Sequence, residues 1–160
     1  MQIRKITKKE NVAMAHVIRS SLEAYGLALP GTVYYDANLE TLSASYDHEG
    51  CAYYVLIDGN SVLGGAGYDR FVGFESCCEI QKLYVSETVR GHGYGKQLLL
   101  FVMEQAQKAG YDHCYIETHD QLQEALGLYK KLGFQEIEKP EGVVHSTMNR
   151  FLIKNLESNV

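Results

Sequence analysis

The amino-acid sequence predicts one domain of the α/β (α+β) class over residues 1–160, with a mixed, mostly antiparallel central sheet of about seven strands and helices on both faces. Two features predict this class. Hairpin-type strand pairs occupy the first half of the chain, whereas strands and helices alternate in the second half. Since hairpins give antiparallel strands and strand–helix–strand crossovers give parallel ones, the two halves combine into a mixed sheet. The predicted order of elements is β-α-α-β-β-β-α-β-α-β-β.

The first half of the chain carries two helices and the first hairpin. Residues 2–6 predict a short strand, and the apolar spacing within 8–24 predicts a helix. A second helix is predicted over 35–45. Strands at 52–57 and 61–68 are separated by an Asp-Gly turn, which is a strong hairpin signal.

The second half alternates strands with helices. The predicted elements are a strand at 76–85, a helix at 95–109, a strand at 112–118, a helix at 122–132, and strands at 134–138 and 145–153. Side chains of a strand alternate between the two faces of its sheet. The strand at 76–85 should therefore present four side chains on one face: Glu79, Gln81, Leu83 and Val85.

Composition and charge argue against several classes of function. The net charge of −5 argues against a nucleic-acid binder, which would usually show a basic face. Apolar runs such as 98–103 are far shorter than the roughly 20 residues that a membrane span needs. The four cysteines and six histidines lack metal-ligand spacing, so no metal is expected. We therefore expect a cytoplasmic protein with reduced thiols.

A glycine-rich segment, residues 89–96 with the sequence VRGHGYGK, lies between a predicted strand and a predicted helix. Alternate glycines at the start of a helix allow several N–H groups to converge on an anion, as in phosphate sites. The Walker pattern fails, because Arg90 stands at its first glycine and Gln97 replaces Ser/Thr. The dinucleotide pattern fails because the third glycine comes one residue early. A glycine-rich turn without a ligand remains the alternative.

Two motifs resemble those of the GNAT family of N-acetyltransferases. Residues 90–95 are similar to its (Q/R)-x-x-G-x-(G/A) signature, and residues 125–134, ALGLYKKLGF, are similar to its A-x-x-L-Y-x-x-x-G-F motif. The motifs stand about 30 residues apart in the family's order, and the order of elements matches over nearly the whole chain. The resemblance implies transfer of an acetyl group from acetyl-CoA directly to a primary amine.

The resemblance also implies which residues contact coenzyme A. The glycine-rich loop would bind the pyrophosphate, and the strand before it would pair with the pantetheine arm. These residues are Leu83, Tyr84, Val85, Arg90, Gly91, His92, Gly93, Tyr94, Gly95, Lys96 and Tyr129. Lys96 could equally be a solvated charge. Leu122 stands where many members have an asparagine, so one polar contact to coenzyme A is in doubt, although Gln121 or Gln123 could replace it.

The reaction requires a neutral amine. A lysine-like amine has a pKa of about 10.4, so roughly one molecule in a thousand is neutral at pH 7. Glu79 matches the position of the catalytic glutamate in some family members and is the candidate base; an ordered water, or a purely structural role for Glu79, is the alternative. Tyr129 is the candidate acid for the leaving thiolate, or else a core tyrosine.

Residues that would contact the acceptor are Tyr34, Gln81, Glu117 and His119. His145 could reach the acceptor or be structural. The acidic balance suits a cationic small-molecule or peptide amine, such as a polyamine, an aminoglycoside or a lysine side chain. The rival functions are a non-catalytic acyl-CoA-binding sensor and an acyltransferase for longer acyl chains or hydroxyl acceptors. A homodimer is an open alternative to a monomer.

Overall fold

One seven-stranded sheet organises the computed structural model, which describes residues 1–156. In chain order the strands are β1 Gln2–Lys5, β2 Ala52–Asp58, β3 Ser61–Arg70, β4 Cys77–Val85, β5 His113–Thr118, β6 Gln135–Ile137 and β7 Arg150–Asn155. Their order in the sheet is β1-β2-β3-β4-β5-β7-β6. Each neighbouring pair is antiparallel except β4 and β5, which are parallel. The predicted mixed, mostly antiparallel sheet is confirmed.

The helices of the described chain lie on both faces of this sheet. They are α1 Asn11–Ala24, α2 Leu42–Ser45, α3 Tyr94–Lys108 and α4 Gln123–Lys131, with 3-10 turns at Lys8–Glu10, Val33–Tyr35, Leu39–Thr41 and Glu87–Val89. Within residues 1–156, none of these helices combines the length and the apolar character needed to cross a membrane.

The sheet separates two apolar cores. The α1-side core is built on Met14 and Ile18, and the α3-side core on Leu98 and Val102, all fully buried. Burying an aliphatic side chain of this size contributes about 1.5–3 kcal/mol. Strand β2 serves both cores because its alternate side chains enter opposite sides. This gives its unbroken apolar run: Tyr53, Val55 and Ile57 on the α1 side, Tyr54 and Leu56 on the α3 side.

Two predicted elements are wrong in extent. The helix predicted at 35–45 is broken: residues 35 and 39–41 belong to two separate 3-10 turns, and only α2, at Leu42–Ser45, is α-helical. The side chain of Asn11, on α1, accepts a 2.9 Å hydrogen bond from the backbone N–H of Ser43, which lies in the first turn of α2, and so favours a helix start at Leu42. The strand predicted at 145–153 begins only at Arg150, because the N–H of Thr147 donates to the carbonyl of Gly31, 3.1 Å away, instead of joining the sheet.

Strand β4 contains a bulge in its middle. Its register against β3 shifts between Gly65 and Gly67, so that Lys82 and Leu83 share the position opposite the residue between those glycines. Lys82 takes a left-handed conformation with φ of 51°. The hydroxyl of Tyr53 donates a 2.7 Å hydrogen bond to the Lys82 carbonyl and so holds the bulge from the α1-side core.

The bulge reverses the alternation of side chains along β4. Ile80 lies in the α3-side core, and Leu83 and Val85 pack against the same core. In a strand without a bulge, these odd-numbered residues would point to the face opposite Ile80. Glu79 and Gln81 therefore point to the α1 side. The prediction that Glu79, Gln81, Leu83 and Val85 share one face is wrong, because the extra residue turns the strand over.

Strands β4 and β5 separate after three paired positions. They are paired only from Cys77 opposite His113 to Glu79 opposite Tyr115. Past Glu79, the β5-facing edge of β4 has no strand partner within the described chain. The result is a gap in the middle of the sheet, with the bulge on one side of it.

The loop between α1 and α2 is joined closely to the segment before β7, and Gly31→Ala should test this junction. Gly31 has φ of +81°, and a Cβ there would lie 2.4 Å from the Thr147 side-chain oxygen and 2.6 Å from that of Ser146. We expect the free energy of unfolding to fall by about 2–3 kcal/mol in urea titrations, from backbone strain plus overpacking.

Gly26→Ala is the matched control for this substitution. Gly26 has φ of +70°, but a Cβ there would have no neighbour within 4 Å. The free energy of unfolding of Gly26→Ala should therefore fall only by the cost of the strained backbone, about 1 kcal/mol. Equal losses in the two variants would show that the junction tolerates a side chain.

Candidate active site

Two adjoining cavities lie at the gap between β4 and β5. The larger, of about 300 Å³, runs from the glycine-rich loop along the end of β4 to α4. The smaller, of about 60 Å³, lies on the α1 side of β4. Residues from β4, β5 and the segment before β7 line both cavities: Ile80, Lys82, Tyr84, Glu117 and Met148. A ligand in the larger cavity can therefore meet one in the smaller through the gap in the sheet.

The glycine-rich loop forms one end of the larger cavity. Gly91 and Gly93 have φ of +81° and +79°, and a Cβ at either would meet nothing within 4 Å. The positive φ angles, and not crowding by neighbouring atoms, explain why these two positions are glycine. Gly93 is the N-cap of α3, a helix of 15 residues, so the loop amides lie at the positive end of its dipole. This arrangement suits a phosphate group.

Arg90 and His92 help to hold the loop in shape. The Nε of Arg90 donates to the Val85 carbonyl, 3.3 Å away, and its guanidinium lies 5.1 Å from the centre of the Tyr25 ring. His92 turns back, with Nδ1 3.1 Å from the carbonyls of both Val89 and Arg90. The imidazole of His92 does not line the cavity. The other residues predicted to contact coenzyme A do line it: Leu83, Tyr84, Val85, Arg90, Gly91, Gly93, Tyr94, Gly95, Lys96 and Tyr129.

Tyr129 lies on α4 at the inner part of the larger cavity and is 5 % exposed. The second sequence motif fixes its position: Phe134 N donates to the Tyr129 carbonyl at 3.0 Å, and the two rings lie 5.8 Å apart. Burial raises the pKa of the Tyr129 hydroxyl well above its usual range. The hydroxyl therefore keeps its proton at neutral pH. Leu122, which stands where the resemblance would place an asparagine, also lines this cavity.

Glu79 lines the smaller cavity. Burial, together with the nearby charge of Glu117, raises the pKa of Glu79 to about 7. Its Oε1 accepts a 2.7 Å hydrogen bond from Gln81, whose own side-chain oxygen accepts from the Tyr46 hydroxyl. Glu79 is thus held in one orientation and is partly ionised near neutral pH, as a general base requires.

His145 bridges two carboxylates at the same cavity. Its Nε2 lies 3.1 and 3.2 Å from the two oxygens of Asp36, and its Nδ1 lies 3.3 Å from Glu117 Oε1. Hydrogen bonds to Asp36 and then to Glu117 raise the pKa of His145 to about 9. A protonated imidazole therefore ties the α1–α2 loop to β5. Tyr115 donates to the other Glu117 oxygen at 3.1 Å.

The structure brings together only part of the predicted acceptor contacts. Gln81 and Glu117 line the smaller cavity, whereas Tyr34 and His119 line neither cavity. The Tyr34 hydroxyl donates to Glu23 at 2.6 Å, and His119 Nδ1 accepts from the Gln121 N–H at 3.0 Å. His145, which the sequence left open as an acceptor contact or a structural residue, lines the smaller cavity, whereas sequence reasoning missed three contributors to this region: Asp36, Tyr46 and Lys82. No local motif marks them, because they come from separate segments.

One group of side chains within residues 1–156 has the chemistry of a metal site. Donor atoms of His48, Cys51 and Asp69 lie within 4.8 Å of one another. His48 Nε2 is 3.3 Å from Asp69 Oδ1, and the Cys51 thiol donates to the His48 carbonyl. The three residues line neither of the two cavities. That no metal serves this site stays a prediction.

Comparison with known proteins adds three findings. The model of the acetyltransferase (GNAT) family matches residues 15–134. The N-acetyltransferase YjgM of Escherichia coli, itself named uncharacterized, is 42 % identical over 138 residues, which cover 85 % of this chain and 83 % of YjgM. A GNAT-family acetyltransferase of Staphylococcus aureus superposes with a TM-score of 0.86 at 22 % identity, covering 98 % and 99 % of the two chains.

A further solved structure shares the fold. The acetyltransferase yncA of Salmonella typhimurium, solved with its cofactor acetyl-CoA, superposes with a TM-score of 0.76 at 20 % identity. The match covers 100 % of this chain and 96 % of the other.

Proposed function

This chain belongs to the GNAT family of acetyltransferases, and we propose that it transfers the acetyl group of acetyl-CoA directly to the primary amine of a small molecule or peptide. The observation that carries the proposal is the meeting of two cavities at the gap between β4 and β5. One cavity is lined by a buried acid, Tyr129, and the other by a half-buried base, Glu79. Direct transfer requires both groups to reach one reaction centre.

The residues of the larger cavity fit coenzyme A in two respects. The left-handed Gly91 and Gly93 leave the loop amides open at the start of α3, which suits a pyrophosphate. The β5-facing edge of β4 past Glu79 has no strand partner among residues 1–156, which suits an amide-containing arm added like a strand. When bound, acetyl-CoA supplies a thioester carbonyl that an amine can attack.

Glu79 accepts a proton from the attacking amine. Since roughly one lysine-like amine in a thousand is neutral at pH 7, a nearby base removes a large obstacle to attack. The new bond joins the amine nitrogen to the acetyl carbon, and the bond from that carbon to sulfur breaks. Tyr129 donates its hydroxyl proton to the departing thiolate. The ammonium form of the amine loses two protons in all: one goes to Glu79, and the other restores the Tyr129 hydroxyl after that hydroxyl has protonated the thiolate.

Binding of the cosubstrate can be tested by thermal shift with acetyl-CoA, coenzyme A and ATP. A ligand present at 100 times its Kd stabilises the folded state by about 2.7 kcal/mol. We expect both forms of coenzyme A to raise the Tm and ATP to leave it nearly unchanged. If neither form of coenzyme A changes the Tm at millimolar concentration, the proposal fails.

Gly93→Ala should weaken this binding. At φ of +79° an alanine costs about 1–2 kcal/mol, which the loop can relieve by leaving its binding conformation. We expect the Kd of coenzyme A to rise about 10-fold, measured by calorimetry.

Gly110→Ala is the matched control for the loop variant. Gly110 follows the other end of α3, has φ of +102°, and has open space around its Cβ position. It should lose similar stability without a change in Kd. Equal Kd values for the two variants would show that the loop does not contribute to coenzyme A binding.

A further inference from the structure

Lys82 stands at the junction of the cavities. The bulge in β4 and the hydrogen bond from Tyr53 to the Lys82 carbonyl direct its side chain to the α1 side. It lines both cavities already described and also a third, of about 330 Å³, which we call the outer cavity. The outer cavity also includes Asp36, Tyr46, Asp69 and Gln81. Lys82 is therefore placed to contact a ligand that extends outward from Glu79.

The ammonium of Lys82 is only loosely satisfied by the protein. Within the described chain it pairs with one carboxylate, that of Asp36, at 3.7 Å, which is longer than a hydrogen bond. Its other neighbour is the Tyr46 ring, 5.8 Å away. Both oxygens of Asp36 already contact His145. Because an ammonium offers three donors and this side chain is only 14 % exposed, Lys82 can accept an anionic partner from the cavity.

Negative charge lies at the inner end of the same space. Glu79 and Glu117 line the smaller cavity, close enough that the charge of Glu117 raises the pKa of Glu79. An incoming ammonium is attracted to Glu79, because Glu117 already contacts His145 and Tyr115, and an incoming carboxylate is attracted to Lys82. A volume of about 60 Å³ admits the amine end of a ligand, and the outer cavity leaves room for the rest.

We propose that the acceptor is an amino carboxylate of amino-acid size, with its ammonium at Glu79 and its carboxylate at Lys82. This inference rests on the proposed acetyl transfer and names its substrate class.

A polyamine fits less well, because the carboxylates of the outer cavity are already engaged. Asp36 contacts His145 and Lys82, and Asp69 contacts His48 and the backbone N–H of Arg70.

The test compares acceptors with and without a carboxylate. Amino acids are assayed against their carboxamides and decarboxylated amines, with spermidine added, and kcat/KM is measured for each. We expect the best amino acid to exceed its carboxamide by at least about 10-fold, since a buried charge loses its partner in the carboxamide. Comparable values for the carboxamide, the decarboxylated amine or spermidine would overturn the inference while leaving acetyl transfer intact.

Lys82→Met ties the preference to this side chain. It should lower kcat/KM for the amino acid about 10-fold or more, mainly through KM, and change that for the carboxamide less than about 3-fold. Lys82→Arg should restore part of the preference. Lys108→Met, which removes an exposed lysine of α3, is the control for loss of charge.

The outcomes separate the inference from the function on which it rests. An equal loss for both acceptors in Lys82→Met would contradict the assignment of Lys82. If the wild-type protein acetylates no amine in the panel, the proposed function fails together with the inference.

Discussion

Glu79→Gln should lower kcat by about 10²- to 10⁴-fold at pH 7.5, the usual contribution of a general base. Glutamine keeps the size of the side chain and the oxygen that accepts from Gln81, so the local packing should survive. What is lost is the group that takes the proton from the amine. The measurement is steady-state acetyl transfer at saturating acetyl-CoA and amine.

The pH dependence gives this prediction a second readout. The pKa of Glu79 in the ligand-free protein is raised to about 7, so the wild-type kcat/KM should rise with pH through about 7. Glu79→Gln should lack this rise. Glu104→Gln, an exposed residue of α3, is the control and should keep the wild-type profile. A Glu79→Gln enzyme within a few-fold of the wild type would assign the proton transfer to water or another group.

Loss of activity in Glu79→Gln should not come from unfolding. A carboxyl whose folded pKa is raised above its ordinary value binds its proton more tightly in the folded state, so its contribution to stability falls as pH rises from about 4.5 to about 7. Glutamine removes this pH-dependent penalty. The variant should therefore be at least as stable as the wild type above pH 7, as urea titrations at pH 5 and pH 8 can show.

Tyr129→Phe should lower kcat by about 10²-fold, while the Kd of acetyl-CoA changes less than about 3-fold. The Tyr129 hydroxyl lines the larger cavity and is protonated at neutral pH, so it can donate to the leaving thiolate. Phenylalanine keeps the ring that packs near Phe134. Stopped-flow or steady-state rates, with calorimetry for the Kd, separate loss of chemistry from loss of binding.

Tyr54→Phe is the control for removal of a buried hydroxyl. Tyr54 belongs to the same α3-side core but lines neither of the two cavities. Its substitution should leave kcat unchanged. A wild-type kcat in Tyr129→Phe, or an equal loss in the two variants, would limit Tyr129 to a packing role.

The parts of the site that follow from the sequence are those specified by local patterns. Gly91 and Gly93 indicate a left-handed loop at a helix start, because few other residues adopt positive φ angles. Tyr129 and Phe134 lie on one short motif whose turn of chain brings their rings together. The mixed sheet also follows, because hairpin and crossover signals are local as well.

The parts that the sequence does not specify depend on contacts between distant segments. The bulge at Lys82 is held by Tyr53 from another strand. The sequence of β4 fits a regular alternating strand and does not indicate the bulge. His145 meets Asp36 across 109 residues and Glu117 across 28. No spacing rule reaches across such distances, so the charge arrangement of the acceptor side emerges only from the fold.

The most direct test of acetyl transfer follows thiol release and product together. The wild-type protein and Glu79→Gln are incubated with acetyl-CoA and the amine panel; free thiol is measured by absorbance and N-acetyl product by mass spectrometry. We predict that the wild type forms thiol and N-acetyl product in equal amounts, and that Glu79→Gln forms both far more slowly. Binding of coenzyme A without N-acetyl product from any amine would contradict the account and favour a protein that only senses acyl-CoA.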